Sequence, residues 1–183
     1  MSKTTKAKMI ETMAKLLQQK GYHGTGLNEI IQVSGSPKGS IYYHFPGGKE
    51  ELAVAAIEWT KEQVHHYIAD QIENEENANV AVSKLIKDSA DQFDNGHYFR
   101  GVPMIALTLE NGTTSDAIRT ACKEAFEDWE RIIATKFVAS GMNQATANHR
   151  ASVIHSMMQG AAAISFAKQS SEPLRTVATY LTF

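Results

Sequence analysis

Ser36-Pro37-Lys38-Gly39-Ser40-Ile41-Tyr42-Tyr43-His44-Phe45 is the run on which the reading of this chain turns. Ser36 can accept hydrogen bonds from the free N–H groups of a following turn. Pro37 suits a first helical position, where its missing N–H costs nothing. A short helix from about Pro37 to Phe45 is therefore predicted. Ile41 and Phe45, spaced i and i+4, are expected to face inward, and Lys38, Ser40, Tyr43 and His44 outward. Three aromatics so close together on one helix cannot all be buried, so at least one tyrosine is expected at the surface. A helix of this length is not stable alone and must dock on a neighbour. Its outer face carries groups that donate to phosphates and base edges, which reads as a DNA recognition helix.

The flanks support that reading. Thr5 to about Lys20 has Met9, Ile10, Met13, Leu16 and Leu17 on one arc, and Gly21 ends it. Thr25 is placed to cap a second helix, Leu27 to about Ser34, whose buried face is Leu27, Ile30 and Ile31. Gly35 supplies the tight turn that leads to the third helix. Two short helices joined at a glycine, braced by a longer one, form a helix-turn-helix pattern. Residues 1–49 carry seven lysines against Glu11 and Glu29, a balance of +5, while the remainder balances at −7. A basic head on an acidic body is what a polyanion-binding module joined to a separate domain has.

Pro46-Gly47-Gly48 breaks the pattern, and a long helix is expected from Lys49 to about Glu73. Its apolar residues fall in two stripes: Leu52, Ala56, Trp59 and Tyr67, and opposite them Val54, Ile57, Val64, Ile68 and Ile72. A helix apolar on two sides is sandwiched between partners, so this one connects head and body. Further helices are expected over about Val80–Asp94, from Gly101-Val102-Pro103 to Glu110, over Ser115–Ser140 and Gln144–Gln169, and from Pro173 to Phe183. In the penultimate helix Val153, Met157, Ala161 and Ile164 are assigned to the inner face. No strand alternation is present. The fold class is all-α with about nine helices, a head over 1–48 and a helical body over 49–183.

The 43% of apolar residues can fill a core, and no apolar run approaches a membrane span. The N-terminus has no apolar leader, and Cys122 is the single cysteine, so a cytoplasmic location is expected. Adjacent His65 and His66 point to different sides of a helix, and His149 and His155 do not share a face. No metal site and no cofactor is expected. The chain has no glycine-rich phosphate loop, nucleophile elbow or HExxH motif, so it does not read as an enzyme. Cys122 reads as a core residue.

The run Gly21-Tyr22 … Thr25 … Ile30-Ile31 … Ser34-Gly35-Ser36 … Lys38-Gly39-Ser40-Ile41-Tyr42-Tyr43-His44-Phe45 … Lys49-Glu50-Glu51-Leu52 resembles the DNA-binding head of the TetR/AcrR family of transcriptional regulators. Gly101-x-Pro103, Glu110, Phe126-x-x-Trp129 and Gly160-Ala161 are similar to the body of the lincomycin-resistance-repressor-like branch. Val102 stands where that branch often has cysteine. The resemblance implies that Thr25 touches a phosphate. It places Ser36, Pro37, Lys38, Gly39, Ser40 and Tyr42 in the major groove, and Tyr43, His44 and Lys49 on backbone phosphates. It also implies a ligand pocket in the body, for which Trp59, Phe93, Met104, Glu110, Trp129 and Met158 are the candidates, with His97, Tyr98 and Phe99 nearby in sequence. The last two helices, with Gly160 to Ala163, Leu181 and Phe183, read as a dimer surface. The expected protein is a homodimeric repressor that binds a palindromic double-stranded operator and is released by a hydrophobic small molecule. The alternative is an architectural or partner-recruiting DNA-binding protein with no effector.

Overall fold

A computed structural model of the chain describes residues 4–96 and 104–181. Among these, nine α-helices and no strand are found. They are α1 (Thr5–Lys20), α2 (Leu27–Ser34), α3 (Ser40–His44), α4 (Gly48–Glu73), α5 (Ala78–Asp94), α6 (Met104–Asn111), α7 (Asp116–Ala139), α8 (Gln144–Lys168) and α9 (Glu172–Tyr180). His97, Tyr98 and Phe99, the Gly101-x-Pro103 motif and Phe183 lie outside the described residues. The chain divides into two compact units, and α4 and α7 each contribute to both.

The first unit comprises the described residues of Met1–Gln63 and Gly101–Ala125. Thr4 caps α1 through its side chain, and Met9, Met13, Leu16 and Leu17 form the buried arc expected from their spacing. α2 and α3 both pack on α1, where Ile30, Ile41 and Phe45 are buried. Gly35, at φ 64°, ends α2 in the left-handed conformation that glycine adopts without strain. Leu52, Ala56 and Ile57 of α4, Leu107 of α6, and Ile118 and Cys122 of α7 are also buried here. Burial pushes the Cys122 thiol up, away from thiolate reactivity, and its Sγ lies 4.0 Å from the sulfur of Met104.

The second unit comprises the described residues of Val64–Arg100 and Phe126–Phe183. α9 packs against both α5 and α8. Val82, Leu85, Ile86, Ala90 and Phe93 of α5 are buried as expected, and so are Trp129, Ile133 and Phe137 of α7. Arg175 of α9 reaches Asp91 at 2.6 Å and Asp94 at 2.7 Å, while Ser171 donates to Asp94. Among the described residues no helix is long and apolar enough to cross a membrane.

Three local expectations need correction. α3 begins at Ser40, not Pro37: Pro37 to Gly39 form a separate turn closed by the Ser40 N–H to the Pro37 carbonyl at 2.9 Å. Ser36 caps nothing in this arrangement; its buried hydroxyl accepts from Ser34 at 2.8 Å. α2 begins after Gly26 with no side-chain cap, because the Thr25 hydroxyl turns back to donate to the Gly21 carbonyl at 2.8 Å. Finally, α8 is rotated from the expected facing. Its buried side is Ala147, Ala151, Ile154, His155, Ala161, Ala162 and Ser165, and Val153 (58%), Met157 (37%) and Ile164 (50%) are exposed. Only Ala161 of the predicted inner face is buried. The small residues go inward because they let neighbouring helices approach closely.

Candidate nucleic-acid interface

The recognition segment is a single helical turn pinned from below. The Phe45 N–H closes on the Ile41 carbonyl at 2.7 Å, and both side chains are buried. These two anchors fix the orientation of everything between them. Tyr42 is 64% and Tyr43 81% exposed, which is far more than a core aromatic would be. The Tyr43 and His44 rings meet edge to face at 4.8 Å, so His44 steadies the outermost tyrosine. Pro37, Lys38 and Gly39 are exposed, and Ser40 is half-buried with its hydroxyl donating to the Pro37 carbonyl. A Cβ on Gly39 would meet nothing within 4 Å. The bare backbone at Gly39 therefore leaves room for an approach from outside the protein.

Thr25 and Ser36 differ from the other candidates. Both are buried with their hydroxyls engaged inside the head, so what the chain offers outward beside them is backbone. The three N–H groups that open α2 have no side-chain cap, and a helix N-terminus of this kind favours a phosphate. Lys49 is half-buried at the start of α4, with its ammonium 4.3 Å from the centroid of the Tyr22 ring. Burial lowers its pKa from the ordinary lysine value, and the charge of Glu110 opposes that shift. Sequence reasoning missed Tyr22 as the partner of Lys49; its aromatic character beside the Gly21 turn was the available signal. Within the same unit, Glu50 accepts from Ser115, whose hydroxyl also accepts from the Ile118 N–H and so caps α7.

Chemically, the exposed surface of this head is a set of donors and aromatic edges on a rigid turn, in a basic segment. Residues 10–56 match the family model described as "Bacterial regulatory proteins, tetR family". Residues 78–180, more than half of the chain, match "Transcriptional regulator LmrA/YxaF-like, C-terminal domain". The chain belongs to the TetR family of transcriptional regulators. It is 37% identical to the HTH-type transcriptional regulator YxaF of Bacillus subtilis, over 95% of this chain and 91% of that protein. It is 35% identical to the HTH-type transcriptional regulator LmrA of the same organism, over 93% and 90% respectively. In fold it is similar to the reduced form of Escherichia coli NemR, with a TM-score of 0.86 at 21% identity, covering 97% of this chain and 94% of that one.

The candidate ligand residues of this TetR-family chain fall in both units. In the first, Trp59 is half-buried on α4, and Met104 is buried against Cys122. In the second, Phe93 is buried edge to face with Phe166, at a centroid distance of 5.6 Å. Trp129 is buried with its ring 5.9 Å from Phe126 and 6.0 Å from His155, and Met158 is half-buried on α8. His155, also buried, contacts Glu130 at 3.1 Å and Gln159 at 3.0 Å. Glu110, the sixth candidate, lies on α6 in the first unit. Its carboxylate is turned to the head, where Oε2 accepts from the Tyr22 N–H at 2.9 Å and Oε1 from the His23 N–H at 3.2 Å.

Proposed function

We propose that the protein is a homodimeric, ligand-responsive repressor whose two heads bind a palindromic operator. The observation that carries this is the exposed Lys38–Tyr43 face, held by the buried Ile41–Phe45 anchor in a chain of the TetR family. Lys38 suits a guanine edge, and Pro37 and Tyr42 suit a thymine methyl. Tyr43, His44, Lys49 and the open N-terminus of α2 suit backbone phosphates. On this reading residues 1–48 are the DNA-binding head, and 49–183 are the regulatory and dimerising body.

Dimerisation is supported by the exposed apolar stripe of α8. Val153, Met157, Gly160 and Ile164 repeat at i, i+4, i+7 and i+11, the spacing of one helix face. A two-fold dimer presents two recognition helices about one turn of DNA apart, which a single head cannot do. The effector is a hydrophobic molecule held by the helical body, for which Phe93, Trp129 and Met158 of the second unit are the candidate contacts. To release DNA it needs only to prefer the non-binding state by a few kcal/mol, about 1–3 in typical couplings.

The test is capture of genomic fragments on the purified protein, followed by sequencing and footprinting. A recovered site with two-fold symmetry is expected. Fragments enriched without a common symmetric site would overturn the operator reading. A thermal-shift screen of hydrophobic compounds tests the effector: a rise in Tm for some compound is expected, and none across the library removes ligand response from the proposal.

A further inference from the structure

Glu110 sits in the last turn of α6, yet its side chain ends on a turn 88 residues earlier in the chain. Each carboxylate oxygen takes one of two consecutive backbone N–H groups, those of Tyr22 and His23. These groups point outward because the chain leaves α1 at Gly21 with φ 68° and ψ −177°, a conformation reserved in practice for glycine. Successive N–H groups of such a turn form an anion cradle, and a carboxylate makes the stronger, charge-assisted kind of hydrogen bond to it. A Cβ on residue 21 would stand 3.1 and 3.2 Å from the two Glu110 oxygens, so the cradle is shaped closely around them. The Lys49 ammonium closes the group from the Tyr22 side.

The held turn leads directly into the DNA-binding pair. The Thr25 hydroxyl donates back to Gly21 and its N–H to Tyr22, so residues 21 to 25 move as a piece. α2 starts two residues later, and Gly35 fixes the step to α3. We infer that Glu110 is a positioning residue for operator binding: by gripping the Tyr22 and His23 amides from α6, it sets where the α2–α3 pair is held. This inference rests on the operator-binding reading above. It makes α6 part of the apparatus that aims the head, in addition to α4.

The experiment compares full-length wild type with Glu110→Ala and Glu110→Gln. Fluorescence anisotropy on a duplex recovered by genomic capture reads affinity. Residue-resolved amide exchange without DNA reads the cradle. Glu110→Ala is expected to lose at least about fivefold in operator affinity, the low end of measured coupling between sites, and to lose protection at the Tyr22 and His23 amides. Amides inside α1, such as that of Leu17, should keep theirs. Glu110→Gln preserves the shape but offers one acceptor in place of two, and should fall between. It also serves as the deciding variant if Glu110→Ala is not folded by circular dichroism. Equal operator affinity in wild type and a folded variant overturns the inference and leaves the operator reading intact. Weaker binding with unchanged Tyr22 and His23 exchange also overturns it, because the loss then arises elsewhere. Failure of wild type to retain any genomic fragment overturns both.

Discussion

Replacing Ile164 by glutamate tests the α8 stripe, and its effect can be worked from exposure. Val153, Met157 and Ile164 are 58%, 37% and 50% exposed in the single chain. Full burial of such a side chain is worth roughly 1.5–3 kcal/mol, so covering the exposed part of each gives about 1 kcal/mol. Three residues on each of two protomers then supply about 6 kcal/mol, against which the cost of association must be set. Ile164→Glu removes about 1 kcal/mol per protomer and brings one carboxylate from each chain into the same apolar seam. Even at an effective dielectric near 20, like charges in contact repel by a few kcal/mol. A total of at least about 3 kcal/mol corresponds to a dimer dissociation constant weakened by about 100-fold or more. Light scattering behind size exclusion, over a series of dilutions, reads this directly. Val33→Glu is the control, since Val33 of α2 is also well exposed and should leave the dimer constant unchanged. A dimer equally tight in Ile164→Glu and wild type would refute the assignment of this face, and so would a wild type that stays monomeric at micromolar concentration.

Other outcomes follow from the head and from the α5–α9 contact. Lys38→Ala should relax base preference at one position per half-site, whereas Tyr43→Ala should weaken all sequences alike; binding to a panel of substituted operators separates the two. Gly21→Ala should cost about 2 kcal/mol from the disallowed backbone conformation alone, lowering Tm by about 4–8 °C for a chain of this size. The close approach of the added Cβ to the Glu110 carboxylate adds to that loss, and this added part should disappear in a Glu110→Ala background. Arg175 and Ser171 hold the Asp94 carboxyl below the ordinary carboxylate range. Asp94 is therefore charged in the folded state at pH values where the unfolded chain has begun to bind its proton. The stability it contributes is fully present above the ordinary aspartate pKa, and it is lost as pH falls through the lowered folded value. The Tm difference between wild type and Arg175→Ala should accordingly be level at neutral pH and close towards zero in acid; a difference that persists unchanged in acid would contradict this.

The sequence carried the helices and the anchors of the recognition segment, because those follow from local rules. Met9, Met13, Leu17, Ile41 and Phe45 sit at helical spacing, and burial of one face is the only way such spacing is satisfied. The start of α3 was less legible. Ser36-Pro37 is a good helix entry by local preference, but Ser34 lies two residues away and takes the Ser36 hydroxyl instead. The facing of α8 was illegible for a different reason. Its apolar residues occupy more than one side, and the rule that sends large apolar residues inward has no means of knowing that a face can await another chain. Small residues at Ala147, Ala151, Ala161 and Ala162 made the closer-packing side. The partners of Glu110 were beyond reach altogether, because they are backbone groups 87 and 88 residues away and backbone groups leave no mark in composition.

These long-range polar contacts alter how the head is to be understood. A cut at residue 48 follows the motif, and on the proposed reading that segment carries all the side-chain DNA contacts but Lys49. Yet three of its structural supports come from farther along the chain: Glu110 on the Tyr22–His23 turn, Lys49 over the Tyr22 ring, and Leu107, Ile118 and Cys122 in the core of the same compact unit. Ser115, which caps α7, also binds Glu50 at the start of α4. The beginnings of α4 and α7 and the end of α6 are thus tied by polar contacts to one another or to the α1–α2 turn. A recognition turn of five residues has no stability of its own, so its aim is only as firm as this frame. An isolated fragment ending at residue 48 would keep Ile41, Phe45 and the exposed tyrosines while leaving the two cradle amides without their carboxylate. Its recognition turn would keep its own side chains but lack Lys49, and it would be poorly aimed. On this reading the residues that would read DNA and the carboxylate that would hold their supporting turn lie on opposite sides of the whole of α4 and α5 in the sequence.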